Sequence, residues 1–276
     1  MQPSMSDQYF SDFPAALRYW RTRRGLSQLE LSTIGAVSQR HLSFLERGRS
    51  QPSKEIILKL GQVLDVPLRQ RNAMLLAAGF APAYQERQLA DPELAPVRQA
   101  LDFMLAQQAP FPALIVDRLW NLQLSNAPAK RLFRWLLELP PDAPIADHGA
   151  LSVPRLMLSP DALRPFIANA GEVCADMLHW IQREAMSDGA ASPAAQLLEE
   201  LKALESASGA PATTPERTAL PFMPLQLRKG GVELNLFTTI ATLGTPRDVT
   251  LHELRIESFF AADGATEQWF RAQDSH

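Results

Sequence analysis

The 276-residue sequence predicts an α+β protein in two parts: a five-helix bundle over residues 9–80 and, beyond a linker at 81–93, a sheet domain over residues 94–276. Three observations carry this expectation. Residues 13–79 repeat short apolar helical faces between helix-start and helix-stop residues. Two strand-like runs precede a long helical stretch and three follow it, which predicts one antiparallel sheet of five strands with a large helical insertion. The charge divides where the texture does: through Phe80 there are 11 Lys and Arg against 6 Asp and Glu (+5), and the remainder holds 16 against 24 (−8), giving −3 overall. A basic first part beside an acidic second one assigns nucleic acid to the first and keeps phosphate away from the second.

The bundle is organised around Gly25–Pro52, GLSQLELSTIGAVSQRHLSFLERGRSQP. Ser27 caps its first helix, Glu30 reaches back to the cap, and Leu26 with Leu31 forms a hydrophobic staple. Gly35 ends this helix as a residue tolerant of positive φ. Ser38 caps the next, with Val37 and Leu42 as its staple pair. Val37, Leu42 and Leu45 share one face, so Gln39, Arg40, Ser43 and Phe44 point elsewhere. That set suits a DNA major groove, because Gln matches adenine, Arg guanine, Ser adapts, and Phe offers an apolar surface to a thymine methyl. The competing reading is a helical hairpin with a solvated polar face, in which Arg40 reaches only phosphate and Phe44 packs on its own domain.

Around this core, Phe13, Ala16, Leu17 and Trp20 predict a first helix that ends in Arg21, Arg23 and Arg24, which complement its dipole and can reach phosphate. Arg47, Arg49, Ser50 and Gln51 form a polar loop. Ser53 caps a fourth helix with Ile56, Ile57, Leu60, Val63 and Leu64 inward, and Pro67 breaks it. A fifth runs from Leu68 to Gly79 with Leu75 and Leu76 inward.

Ser27-Gln28-x-Glu30-Leu31, the turn at Gly35 and Leu45-Glu46-x-Gly48 closely resemble the helix-turn-helix of the XRE family, which includes the phage Cro and lambda-type repressor proteins, over about residues 13–78. The resemblance implies a lambda-repressor-like bundle that binds double-stranded DNA through Ser38, Gln39, Arg40, Ser43, Phe44, Arg47, Arg49 and Ser50, with Gln28 at the position that holds the DNA backbone. One such helix reads few base pairs, so a homodimer on an inverted-repeat operator follows.

In the second part, Leu94, Val97, Leu101, Met104 and Leu105 predict a helix stopped by Pro110 and Pro112. Residues 113–116 and Trp120, Leu122 and Leu124 predict two strands joined at Asp117-Arg118, and Asn126 caps a helix that buries Leu132, Phe133, Leu136 and Leu137. Ser159-Pro160-Asp161 starts a long helix through Leu163, Phe166, Ile167, Val173, Met177, Leu178 and Ile181; Ser192-Pro193 starts another with Leu197, Leu198, Leu201 and Leu204 inward. Residues 206–217 predict a mobile loop. Leu225 and Leu227 turn at Gly230-Gly231 into Val232, Leu234 and Leu236, a further turn falls at Gly244-Thr245-Pro246, and in the last strand Leu254, Ile256, Ser258 and Phe260 alternate with Glu253, Arg255, Glu257 and Phe259.

The order strand, turn, strand, capped helix opens a PAS-like domain. Residues 113–117, Trp120, Asn126 and the closing run GTPRDVTLHELRIESFFAADGAT resemble the C-terminal domain of MmyB-like transcriptional regulators, over about residues 94–272. Ala261 stands where that family usually has proline. The resemblance implies a PAS-like domain for a small molecule, with fatty acids the ligands implied. The helical insertion at 140–206 carries enough apolar side chains to leave an internal space, with Leu151, Met157, Phe166, Met177, Trp180 and Leu236 as its wall and Arg155, Arg164 and Trp120 as donors to a carboxylate. Phe222 is a further aromatic that suits either such a wall or a filled core.

The histidines, His41, His148, His179, His252 and His276, are scattered, and there is no G-x-S-x-G, H-E-x-x-H, C-x-x-C or P-loop, so the chain does not read as an enzyme and neither cofactor nor metal is expected. The single Cys174 excludes an internal disulfide, fits a reducing cytoplasm, and reads as a buried structural thiol rather than a redox sensor. No apolar run approaches the ~20 residues of a membrane span, and no signal sequence opens the chain; a cytoplasmic protein is expected. Two functions remain: a regulator whose operator affinity answers to a small apolar, fatty-acid-like ligand, and one whose second domain only dimerises or docks a partner protein.

Overall fold

The computed structural model describes residues 12–145, 149–188, 192–207, 224–244 and 246–274. The polar lead at 1–8, the expected loop from residue 208 onward, Phe222, His148, Thr245 and His276 lie outside the described residues. The chain divides into two compact units, one formed by residues 12–87 with 246–252 and the other by 88–244 with 253–274.

The first unit contains the five predicted helices: α1 (Phe13–Arg23), α2 (Gln28–Ile34), α3 (Gln39–Glu46), α4 (Lys54–Val63) and α5 (Leu68–Ala77). Their starts follow the sequence signals. Ser27 Oγ accepts the Glu30 amide while Glu30 Oε2 accepts the Ser27 amide at 2.7 Å, a complete capping box, and Ser38 and Ser53 cap α3 and α4. Phe13, Leu17, Trp20, Leu31, Leu42, Leu45, Ile57, Leu60, Met74 and Leu75 close into one core.

Two details differ from the expectation. Gly35 keeps ordinary right-handed backbone, and Ala36 takes the positive φ of 45°. Gly35 is needed for space instead, since a Cβ there would lie 2.8 Å from Leu31 O and 3.2 Å from Leu60 Cδ2. Leu76 is not inward but 37% exposed, one step off the buried face of α5 that Leu75 occupies. Past α5, Asn72 accepts the amides of Ala83 and Tyr84 and donates to Tyr84 O at 2.7 Å. The first half of the stretch read as linker is therefore tied to α5. Residues 246–252 extend this packing, with Val249 N donating to Gln85 O at 2.8 Å and Arg87 paired with Asp248 at 3.2 Å.

The second unit opens with α6 (Ala95–Gln107), β1 (Ala113–Val116), β2 (Leu122–Ser125) and α7 (Ala127–Leu137), continues through α8 (Val153–Leu158), α9 (Ala170–Asp188) and α10 (Pro193–Ala207), and closes with β3 (Pro224–Lys229), β4 (Val232–Ala241), β5 (Arg255–Ala261) and α12 (Gly264–Asp274); α11 (Val249–Glu253), between β4 and β5, falls almost wholly in the segment that groups with the first unit. The five strands form one antiparallel sheet in the PAS-like order β2-β1-β5-β4-β3. Gly230 and Gly231 take φ of 56° and 81° and close the β3–β4 hairpin as their pairing predicts.

Trp120 belongs to the β1–β2 turn rather than to β2, with φ 61°, because the Asp117 carboxylate draws in the amides of Leu119 and Asn121 and consumes these residues in the turn. The long helix begins at Ala170 rather than near Ser159. Ile167 bridges to Leu227, and the Asn169 side chain bonds Pro224 O and Gln226 N, so this stretch runs extended along β3 before the helix can start. Met104 is 44% exposed on α6, where Leu101 and Leu105 are the buried residues. The closing helix α12 was not anticipated, though Asp263, whose Oδ1 accepts the Thr266 amide at 2.7 Å, is an ordinary start signal for it.

Gly35→Ala tests the spacing at the helix-turn-helix. The added methyl meets a backbone carbonyl that cannot rotate away, so we expect a loss of about 1 to 3 kcal/mol of stability in denaturant unfolding. Gly79→Ala, by contrast, meets no atom within 4 Å and should lose only the strain of its positive φ.

Candidate functional site

The second helix of the motif, α3, is held from below by one buried carboxylate. Glu46, the last residue of α3, is 2% exposed. Its oxygens accept Arg21 Nε at 2.5 Å, Arg21 Nη2 at 3.0 Å and Gln28 Nε2 at 2.7 Å, and its carbonyl accepts Arg18 Nη2 at 2.6 Å. Burial pushes the Glu46 carboxyl up, but the hydrogen bonds from Arg21 and Gln28 and the positive charge nearby outweigh it, so its pKa is lowered; the Glu46 hydrogen bond raises that of Arg21 in turn. Both shifts favour the charged pair, which ties α1 and α2 to the end of α3. Gln28 was singled out as a backbone-holding residue; in the structure its Nε2 donates to Glu46 from the start of α2.

On the outer side of α3, Gln39 and Arg40 are exposed and Ser43 and Phe44 half-buried. Phe44 forms a platform: the guanidinium carbons of Arg40 and Arg47 lie 5.4 Å and 5.5 Å from its ring centroid. Cations at such distances are attracted to the ring, which orients both arginines and occupies the surface proposed for a thymine methyl. Arg47 Nε also donates to Ser43 O at 3.0 Å. Ser38 Oγ is taken up in capping through the His41 amide. Arg49 is exposed beyond Gly48, whose φ of 68° turns the chain at the end of the helix, and Ser50 is half-buried. Of the arginines ending α1, Arg21 serves Glu46 and Arg24 is bonded to Leu64 O, Asp65 O and the Asp65 carboxylate, so both staple the bundle rather than stand open to phosphate.

The second unit contains an apolar cavity of about 50 Å³ between the sheet and its covering helices. Its wall is built from Leu114 on β1, Ala129, Leu132, Phe133 and Leu136 on α7, Val153 and Met157 on α8, Met177 on α9, Leu225 and Leu227 on β3 and Phe259 on β5, with Pro112, Leu163 and Ile167 between elements. One lining residue is polar. Glu257, on β5 opposite Leu114, is 3% exposed, and burial pushes its carboxyl up to about 7 against a hydrogen bond from Thr238 that lowers it.

The expected wall is thus largely replaced. Met157 and Met177 line the cavity, whereas Leu236 is buried in the core elsewhere and Leu151 and Phe166 pack at its margin. Trp120 is buried edge-on against Trp180 at 6.1 Å, and Trp180 is itself flanked by Arg183 and Arg255. The expected carboxylate donors do not reach the space. Arg155 is about half-exposed and paired with Glu200 at 2.6 Å, and Arg164 donates to Cys174 Sγ at 2.8 Å. Cys174 is fully buried, and burial holds its thiol above the ordinary range, as suits a structural thiol. Glu257 was missed because an acid in an alternating strand reads as solvent-facing. Among the described residues no group of three His, Cys, Asp or Glu side chains could hold a metal ion, and no helix is long and apolar enough to cross a membrane.

A clasped, capped reading helix in one unit and a cavity-bearing PAS-like sheet in the other define a helix-turn-helix transcriptional regulator with a ligand-binding domain. The chain belongs to the family of the MmyB-like transcription regulator ligand binding domain, whose model matches residues 97–272, and a helix-turn-helix family model matches residues 17–70. It is 38% identical over 71 residues to the transcriptional regulator ClgR of Mycobacterium tuberculosis, from strains CDC 1551 and H37Rv alike, a match covering 26% of this chain and 61% of ClgR. The chain thus spans about three-fifths of the length of those relatives. Two solved structures are similar at low identity: the PAS domain of Bordetella pertussis BvgS (15% identity, 64% of this chain, 96% of that chain, TM-score 0.26) and an RNA-binding light-oxygen-voltage receptor (11%, 96%, 62%, 0.30).

The Glu46 clasp makes a direct prediction. Glu46→Ala should destabilise the protein by about 3 kcal/mol at neutral pH, because it leaves Arg21 without its partner. Since the folded-state pKa of Glu46 lies below its ordinary 4.5, the stabilisation is fully present above that value and is lost as pH falls through the folded one. Unfolding midpoints of wild type and Glu46→Ala, measured from pH 7 down to pH 3, should converge at the acid end.

Proposed function

We propose that this protein is a sequence-specific DNA-binding regulator, acting as a homodimer on an inverted-repeat operator in the cytoplasm, and that a small apolar ligand with a fatty-acid-like body controls its operator affinity from the cavity of the second unit. The observation that carries the reading is that apolar cavity, lined by Leu, Met, Phe and Val side chains in a chain that also bears an exposed reading helix. DNA is the partner that the exposed Gln39 and Arg40 support. A short helix reads a few base pairs, so two-fold assembly supplies the rest of the site. Regulation, rather than catalysis, is what both matching families support.

The roles on α3 separate by their effect on sequence preference. Gln39→Ala and Arg40→Ala should each lose about 1 to 3 kcal/mol of base discrimination, the worth of a bidentate base contact. Gln28→Ala, which removes a bond to Glu46 and a neighbour of the DNA backbone, should weaken all sequences alike. Binding-site selection with the three variants decides this; an altered base preference for Gln28→Ala and none for Arg40→Ala would reverse the assignment.

Ligand control requires that the ligand bind one arrangement of the protein better than the other, since equal affinity shifts nothing. We expect an apolar chain of suitable length to change operator affinity by ~5 to 150-fold, the ordinary range of allosteric coupling. The measurement is a fluorescence-anisotropy titration of delipidated protein on full and half operators, with a panel of chains of increasing length. If no chain moves the curve and the half operator still binds far more weakly than the full one, the second domain serves dimerisation or partner docking alone.

A further inference from the structure

We infer that the cavity selects its ligand through a hydrogen-bond donor, an amine or hydroxyl head group on an apolar chain, and disfavours the ionised carboxylate of a free fatty acid. The inference rests on the proposal that the cavity is the ligand site and adds which head group it accepts.

The argument starts from Glu257. It faces a space whose other walls are hydrocarbon or thioether, and at 3% exposure it has almost no contact with water. A carboxyl in such a place is a liability to the empty protein unless it is paired, and a leucine of similar size would fill the position at lower cost. The other buried acids among the described residues each have a cationic partner: Glu46 has Arg21, with Gln28 beside it, and Asp248 has Arg87. Glu257 receives one donor, the Thr238 hydroxyl, and no Arg, Lys or His lines the cavity among the described residues. Lys229, at the end of β3 and separated from β5 by β4, is committed to the carbonyls of Trp135 and Leu136 at 2.6 Å and 2.8 Å.

A carboxyl group has two oxygens with about four acceptor sites, so one bond from Thr238 leaves acceptor capacity within the cavity. What completes it is a donor. An ammonium brings three N–H bonds and the opposite charge, and a hydroxyl brings one bond without charge. An ionised carboxylate brings acceptors alone and places two acids in one apolar space, where it can bind only by sharing a proton. Met157 and Met177, unbranched and adaptable, can reshape the wall around the chain that follows.

The test is calorimetric titration of the delipidated full-length protein with octylamine, octanol and octanoate at one pH and ionic strength. Octylamine should bind roughly 10- to 100-fold tighter than octanoate, the worth of a charge-assisted bond, with octanol between them. Glu257→Gln keeps the shape and the acceptor for Thr238 but removes the charge; it should bring octylamine and octanoate to within about threefold of each other. If that variant does not fold, the wild-type order alone decides. Octanoate binding as tightly as octylamine overturns this inference and leaves the cavity as a ligand site. An order that persists in Glu257→Gln also overturns it, because another group then selects. No binding by any of the three overturns the ligand-site proposal and this inference with it.

Discussion

A carboxylate taken out of water must be paired or held neutral, and in the DNA-binding unit this constraint sets the geometry of everything around α3. Glu46 satisfies it by drawing Arg21 from α1 and Gln28 from α2 onto one pair of oxygens, while Arg18 takes the adjacent carbonyl. Because Arg21 also donates to Leu26 O at 2.8 Å, the turn into α2 is fixed by the same side chain. The angle between the two helices of the motif is thus set by directional polar bonds as well as by packing of Leu31, Leu42 and Leu45. Packing alone tolerates sliding, whereas a bidentate guanidinium does not. A helix with the proposed task of setting its exposed side chains against base edges gains from that rigidity.

The sheet unit has a neutral counterpart to this clasp. Asn126 caps α7 and meets four partners: its Oδ1 accepts the amides of Ala113 and Ala129, and its Nδ2 donates to Leu105 O and Phe111 O. One side chain thereby fixes the end of α6, the start of β1 and the start of α7. These elements carry Leu114, Ala129, Leu132, Phe133 and Leu136, a large part of the cavity wall. The space survives because its walls are anchored outside it, where hydrophobic collapse cannot draw them together without breaking buried polar bonds.

What was legible in the sequence follows from range. Caps at Ser27, Ser38, Ser53, Asn126 and Ser192 act within a few residues, and the structure has each of them starting a helix. Alternation in 225–236 and the Gly230-Gly231 turn likewise fix a hairpin locally. Glu46 and Arg21 are 25 residues apart, and no local pattern joins them. Glu257 breaks the simplest rule, that charge faces water, so a strand with Glu253, Arg255 and Glu257 in phase gives no sign that Glu257 shares the cavity face with Phe259. Most of the expected ligand residues lie outside the cavity lining for a related reason. Apolar spacing says which side chains are inward but not which of them surround the same space, and an arginine such as Arg155 finds Glu200 on α10 before it finds a ligand.

Glu257 also sits where a change in it has a covalent path outward. β5 begins at Arg255, just past the segment 246–252 that groups with residues 12–87 rather than with the sheet. Within that segment Asp248 pairs with Arg87 and accepts the Thr250 amide at 2.9 Å, and Val249 bonds Gln85. Coupling between a ligand and DNA needs an element with two arrangements that both sites can bias, and contiguity by itself does not supply one. On the proposal that the cavity takes a ligand, filling it would change the bonds open to the acid on the inward side of β5. The Asp248 segment itself is held by the Arg87 pair, by the bond from Val249 to Gln85 O and by burial of Asp248 and Val249.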